Sequence, residues 1–175
     1  MIDVFTRWPI AIPIPNRNAT TIMEAIYKHL VCEHGLPRRI LSDRGKEFID
    51  QGLLKMCDML GISKVTTTGY QPQANGHVER FHKYMNASMT ILSNRSVEEW
   101  DWFLPAILFS YRCSPCESTS YSPYFLLHGR HPNLPADILF KLNCTEFQSE
   151  SDYATRVVGA LHDAFEHGVS LSGLE

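Results

Sequence analysis

The sequence predicts an α/β layered fold. Two patterns carry that expectation: short apolar stretches alternate with helical stretches along most of the chain, and Gly- and Pro-rich breaks separate them. A third observation is that 44% of the 175 residues are hydrophobic, enough to build a core. A chain of this length buries roughly 70% of its unfolded surface.

Residues 1–8 (MIDVFTRW) read as a strand, and residues 10–14 (IAIPI) as a second, with Pro13 needing an edge or irregular position. Asn18 to Thr21 offer a helix cap, and residues 20–34 follow with Ile22, Ala25, Ile26, Leu30 and Val31 on one face. Gly35-Leu36-Pro37 ends that helix. RRILSD (38–43) is a short buried strand leading to Asp43, and 46–60 a second helix closed by Gly61.

SKVTTT (63–68) is β-prone, GYQPQANG (69–76) is a loop, and the pattern is helical from His77 to about Leu92. Val97 to Ser110 gives a further helix, with Trp100, Phe103, Leu104, Ile107 and Leu108 as its core face and Pro105 as a kink or broken start. A Ser/Pro-rich loop (113–123), a short helix (123–129), a linker holding Pro132 and Pro135, and an amphipathic helix over 152–167 complete the chain. The expected division is a core over residues 1–137 and a linker with C-terminal helix over 138–175.

A formal charge of -3 gives no bulk support to a nucleic-acid partner. That case rests on the local basic residues Arg44, Lys46, Lys64, Arg80 and Lys83, for which a solvated surface is an equally good account. No run of 18 apolar residues is present, so no membrane span is expected. No secretory leader precedes the five cysteines, which read as reduced intracellular thiols. Cys113 and Cys116 have the spacing of half a zinc site, but a closed site needs four ligands and no second close pair exists.

Asp43 closes an apolar strand, where α/β sheets usually place their sites; alone, an Asp before Arg44-Gly45 is more simply a turn former. Glu79, early in the expected helix, is alone more simply a first-turn residue favoured by the helix dipole. Their flanking words are more specific than either residue. A polar loop of small residues precedes Glu79, and Arg80, His82 and Lys83 follow it, so one helix can offer a metal ligand and then phosphate contacts.

With 35 residues between Asp43 and Glu79, these blocks resemble the integrase catalytic core of retroviruses and long-terminal-repeat retrotransposons, of the Ty3/gypsy type. IDVFTRWPIAIPI, HGLPRRILSDRGKEF, GYQPQANGHVERFHK and STSYSPYFLLHGRHPNLPAD occur in the family's order, from Ile2 to about Asp137. The last block points away from an unrelated ribonuclease H-like nuclease.

The resemblance implies a ribonuclease H-like three-layer fold, a mixed sheet flanked by helices. It implies a three-carboxylate site binding Mg²⁺, with Mn²⁺ as a substitute, and phosphoryl transfer that trims element ends and joins them to target DNA. Mg²⁺ suits such hard oxygen ligands, and two ions can stabilise the attacking and leaving oxygens. Asp43 matches the family's second carboxylate and Glu79 its third. Gln73, Asn75 and Gly76 match the loop beside the site, and Lys83 matches a position that contacts DNA; Arg80 joins them as a DNA-binding candidate from the local basic set. Gln71 departs from the more usual His before this Pro. Double-stranded DNA, a homo-oligomer and a nuclear location are further implications.

The match aligns Asp3 with the second strand, so the first strand and the first catalytic Asp are expected to be missing, and Asp3 is not placed in the triad. The expectation is an integrase core impaired in catalysis, with a non-catalytic nucleic-acid-binding or protein-interaction module as the alternative.

Overall fold

The structure is a computed structural model that describes residues 1–66, 72–93, 100–117, 119–140 and 150–172. The chain divides into two compact units. The first comprises Met1 and Ile10–Lys83; the second comprises Ile2–Pro9 and Tyr84–Glu175.

In the first unit, one continuous helical run opens with α1 (Ala19–Ile26), widens to π geometry over Tyr27–Val31 and closes with α2 (Cys32–His34). Gly35 ends it at φ +85, a backbone conformation glycine adopts without steric penalty. Strand β1 (Arg39–Ser42) follows, then a 3-10 turn (Lys46–Phe48) and α3 (Gln51–Met59). The expected helix over 46–60 is thus broken at Ile49 and Asp50. The break has a local cause: Asp50 Oδ1 accepts from Gly52 N at 2.7 Å, capping α3 and starting it afresh.

Gly61, at φ +68, turns the chain into β2 (Ser63–Thr66). Strands β1 and β2 pair in parallel, with Arg39 opposite Ser63, Ile40 opposite Lys64, Leu41 opposite Val65 and Ser42 opposite Thr66. Parallel pairing needs a crossover, which the segment containing α3 provides. The expected strand over 63–68 is realised through Thr66; Thr67 and Thr68 lie outside the described residues. Ile22 and Ile26 of α1, Leu53 and Cys57 of α3, and Ile62 form the core, with Met23, Leu30, Ile40, Phe48, Met56 and Leu60 packed around it. The helical spacing of the apolar positions on α1 accounts for its buried face.

The two N-terminal strands expected from the sequence do not form. In the second unit, residues 2–9 reverse direction, and the β structure there is a single antiparallel bridge between Ile2 and Pro9. Asp3 drives the reversal: its Oδ2 accepts from both the backbone N and the Oγ1 of Thr6, each at 2.7 Å. Arg7 N then donates to Asp3 O, and Arg7 takes a left-handed backbone with φ 62. Residues 10–14 adopt no strand either, since Pro9, Pro13 and Pro15 remove ladder donors.

Helix α4 (Pro72–Ser93) begins earlier than expected, so residues 72–76 are helical rather than looped; residues 69–71 lie outside the described residues. Proline is well tolerated in a first helical turn, where its missing N–H has no intrahelical partner to lose. Residues 72–83 of this helix belong to the first unit and 84–93 to the second.

In the second unit, α5 (Trp100–Cys113) buries Leu104, Ile107 and Leu108 as expected and contains Pro105 without ending there, but Trp100 is exposed. Helix α6 (Pro123–His128) is capped by Ser122 Oγ, which accepts from Phe125 N at 3.1 Å, and ends at Gly129 in the left-handed conformation. Pro135, expected in a linker, instead opens a short helix α7 (Pro135–Leu139). Beside it, Asp137 Oδ2 accepts from Leu134 N at 2.7 Å. Helix α8 (Glu150–Ser172) is longer than the expected 152–167 and buries Ala164 completely.

Gly129 is demanded twice over. Its φ is +68, and a Cβ there would lie 2.5 Å from Val157 Cγ1 of α8. Gly129→Ala is expected to destabilise the chain by about 2–4 kcal/mol, from backbone strain plus overpacking. Urea unfolding should show it, and adding Val157→Ala should restore part of the loss. An unchanged midpoint for Gly129→Ala would rule out this close approach.

Candidate carboxylate site

Asp43 stands immediately beyond β1, at the carboxyl end of the parallel strand pair, and its side chain is exposed. Oδ1 accepts from Gly45 N at 3.1 Å, so part of its work is the turn-forming role that the bare sequence favours. Among the described residues no hydrogen bond or ion pair engages Oδ2. Ser42 Oγ donates to the Asp43 carbonyl at 2.9 Å, and Lys64 Nζ donates to the same Ser42 oxygen.

Lys64 is half-buried, with its ammonium 5.9 Å from the centre of the Phe48 ring. Burial lowers its pKa below the ordinary lysine value, while the charges of Cys57 and Asp43 pull it back up. Lys64 therefore differs from a fully solvated surface cation, one of the two accounts open from sequence. Burial likewise raises the thiol of Cys57, opposed by the Lys64 charge.

Glu79 is exposed on α4, two turns from the helix start at Pro72 rather than in the first turn. Stabilisation by the helix dipole fades beyond the first turn, so the simplest structural reason for a Glu here no longer applies. Among the described residues no hydrogen bond or ion pair engages Glu79. Lys83, four residues on and therefore on the same face, is also exposed.

Arg80 Nη2 donates to His77 Nδ1 at 2.8 Å, which makes Nδ1 the acceptor and draws the guanidinium back along the helix. Gln73 and Asn75 lie in the first turn of α4, with side chains outside the described part. Gly76 is inside the helix, and among the described residues a Cβ there would meet nothing within 4 Å.

Asp43 and Glu79 thus each present a hard oxygen donor of the kind Mg²⁺ takes. No hydrogen bond or ion pair joins them, and among the described residues no three His, Cys, Asp or Glu side chains converge on a metal position. Asp3, by contrast, is committed to Thr6 within its turn. Sequence reasoning missed Ser42 and Phe48. The signal for Ser42 was its place directly before Asp43, but its contact with Lys64, 22 residues away, depends on strand register.

A parallel strand pair with an aspartate at its carboxyl end, followed by a glutamate-bearing helix, fits a ribonuclease H-like integrase-type core. The comparisons with known proteins agree. Residues 1–72 match the family model described as "Integrase core domain". The chain is 28% identical over 166 residues to the retrovirus-related Pol polyprotein from transposon 412 of Drosophila melanogaster, covering 91% of this chain and 13% of that protein. It is 31% identical over 137 residues to the gypsy retrotransposon integrase-like protein 1 of Rattus norvegicus, covering 77% of this chain and 26% of that protein.

Among solved structures, the catalytic core domain of BIV integrase is similar at 26% identity and TM-score 0.52, over 63% of this chain and 71% of that one. The HTLV-2 integrase catalytic core, solved in complex with magnesium in a trimeric form, is similar in fold at TM-score 0.58 and 15% identity, over 70% of this chain and 78% of that one. The chain is thus similar to the integrase cores of retroviruses and retrotransposons, in sequence and in fold. It spans about a quarter or less of the length of the curated relatives named here.

Among the described residues nothing lies close enough to meet a methyl added at Gly76. Gly76→Ala should raise stability by about 0.5–1 kcal/mol through helix propensity, since the added methyl meets nothing. Thermal or urea unfolding checks it; a destabilised variant would mean that something in the chain occupies that space.

Proposed function

We propose that this chain supplies Asp43 and Glu79 as two carboxylate ligands of a Mg²⁺-dependent core that inserts retroelement DNA into target DNA. The observation that supports the reading best is that both carboxylates are exposed, and each keeps at least one oxygen that no described hydrogen bond or ion pair engages. Mn²⁺ is the natural substitute ion for such oxygen ligands.

The reaction is an in-line displacement at phosphorus. In trimming, the oxygen of water bonds to the phosphorus, and the 3′-oxygen on the other side leaves and takes up a proton. In joining, the freed 3′-hydroxyl oxygen bonds to a target phosphorus and displaces the target's own 3′-oxygen. Mg²⁺, when bound, supplies positive charge to the oxygens of the phosphoryl group.

The chain's own residues do the holding and orienting. Asp43 and Glu79 would hold the ion, while Arg80 and Lys83, on the helix that carries Glu79, would bind phosphates of the double-stranded substrate. Gln73, Asn75 and Gly76 face the DNA from the first turns of α4, where the lack of a side chain at Gly76 permits close backbone approach. The working form is a homo-oligomer, and its action on genomic DNA implies a nuclear location. Among the described residues no helix is long and apolar enough to cross a membrane.

Calorimetric titration of the chain with Mn²⁺ tests the ligands. Asp43→Asn and Glu79→Gln should each weaken binding at least about tenfold, by loss of a charged oxygen ligand, equivalent to about 1.4 kcal/mol or more. A variant that keeps wild-type affinity removes its residue from the site. For the phosphate contact, Lys83→Ala should weaken DNA binding and flatten its salt dependence by about one unit of slope. An unchanged slope would exclude Lys83.

A further inference from the structure

We infer that Lys64 and Ser42 form a hydrogen-bond relay that positions Asp43, fixing its backbone from behind so that one carboxylate oxygen stays available. The inference rests on the reading of Asp43 as a metal ligand, but neither Lys64 nor Ser42 touches the ion or the substrate in it. Both are positioning residues.

The relay follows from register. Lys64 pairs with Ile40. Ser42 lies two residues further along β1, about 6.6 Å toward its carboxyl end. Residues two apart share a sheet face, so Ile40 and Ser42 point the same way. An extended lysine stem covers that distance, lying half-buried along the sheet with its ammonium at the strand end. There Nζ donates to Ser42 Oγ, and Phe48 places its ring 5.9 Å away.

With that donor on its oxygen, the Ser42 hydroxyl has its own proton to give, and it donates to the Asp43 carbonyl at 2.9 Å. Beyond Asp43, Gly45 N holds Oδ1 at 3.1 Å. Asp43 is therefore gripped at its carbonyl and at one carboxylate oxygen. The carboxylate cannot rotate freely, and Oδ2 is the oxygen left for a ligand. An exposed aspartate after a strand would otherwise sample several rotamers, and a metal site would have to overcome that freedom.

The relay differs from a general structural role in being serial. Removing either member breaks the same chain of bonds, so the two losses should not add. Lys64→Met keeps the stem that packs on the sheet and drops only the charge. Lys64→Arg restores a charged donor of similar reach.

The experiment uses the full chain. The exchange rate of the Gly45 amide is measured by NMR in the metal-free protein, and Mn²⁺ affinity by calorimetry. The set is wild type, Ser42→Ala, Lys64→Met, the double variant, Lys64→Arg, and Asp43→Asn as the control for the site itself. Each single loss variant should speed Gly45 exchange and weaken Mn²⁺ binding by about fivefold, the scale of one net hydrogen bond. The double variant should lose no more than either single, and Lys64→Arg should lie near wild type.

Unchanged Gly45 exchange in both single variants would overturn the relay, as would losses that add in the double variant. Faster exchange with unaltered Asp43-dependent Mn²⁺ affinity would overturn its role at the site. A wild-type chain that binds no Mn²⁺, or an Asp43→Asn variant that binds it equally well, would sink the metal reading instead, and the amide exchange alone would then decide the relay.

Discussion

The parallel pairing of β1 with β2 is the constraint on which the candidate site depends. Four residue pairs set it, and α3 packs its buried Leu53 and Cys57 against the same core that receives Ile22, Ile26 and Ile62. A slip of one residue would turn Ile40 out of the core and send Lys64 to the other face of the sheet. Both Asp43, at the end of β1, and the lysine that reaches that end owe their positions to this register. The apolar packing beneath the sheet therefore does more than stabilise it: it aims two charged groups.

Around Asp43 the chemistry is a competition between local and external partners. Gly45 N takes one carboxylate oxygen, as it would in many Asp-x-Gly turns, and the carbonyl is held by Ser42. The Gly45 amide thus orients the carboxylate and the Ser42 hydroxyl the carbonyl. Glu79 stands in a different setting. Two turns inside α4 it gains little from the helix dipole, and Arg80 beside it turns to His77.

The second unit shows how hydrogen bonds and close approach override periodicity. Residues 1–8 have the alternation of a strand, yet one aspartate accepting twice from Thr6 folds them into a reversal. Within that reversal Trp8 meets Arg112, whose guanidinium carbon is 4.1 Å from the ring centre and whose Nη2 donates to Pro9 O at 2.8 Å. A cation over an indole face and a charge-assisted bond to a carbonyl are each worth more where water is excluded. Gly129 plays the matching part for α8, its missing side chain making room for Val157.

The resemblance to integrase cores, the helices over 20–34 and 123–129 and the strand that leads to Asp43 are legible in the amino-acid sequence, which also nominates Asp43 and Glu79 as candidate ligands. They are legible because helix faces, caps and family motifs are written in consecutive residues. Other features emerge only in three dimensions: residues 2–9 turn back, α4 starts at Pro72, Trp100 is exposed, and Lys64 lies along the sheet to reach Ser42. The physical reason is range. A propensity or a motif acts over a few neighbours, whereas Lys64 finds its serine far back along the chain. That partner is chosen by strand register, which the packing of the whole first unit sets.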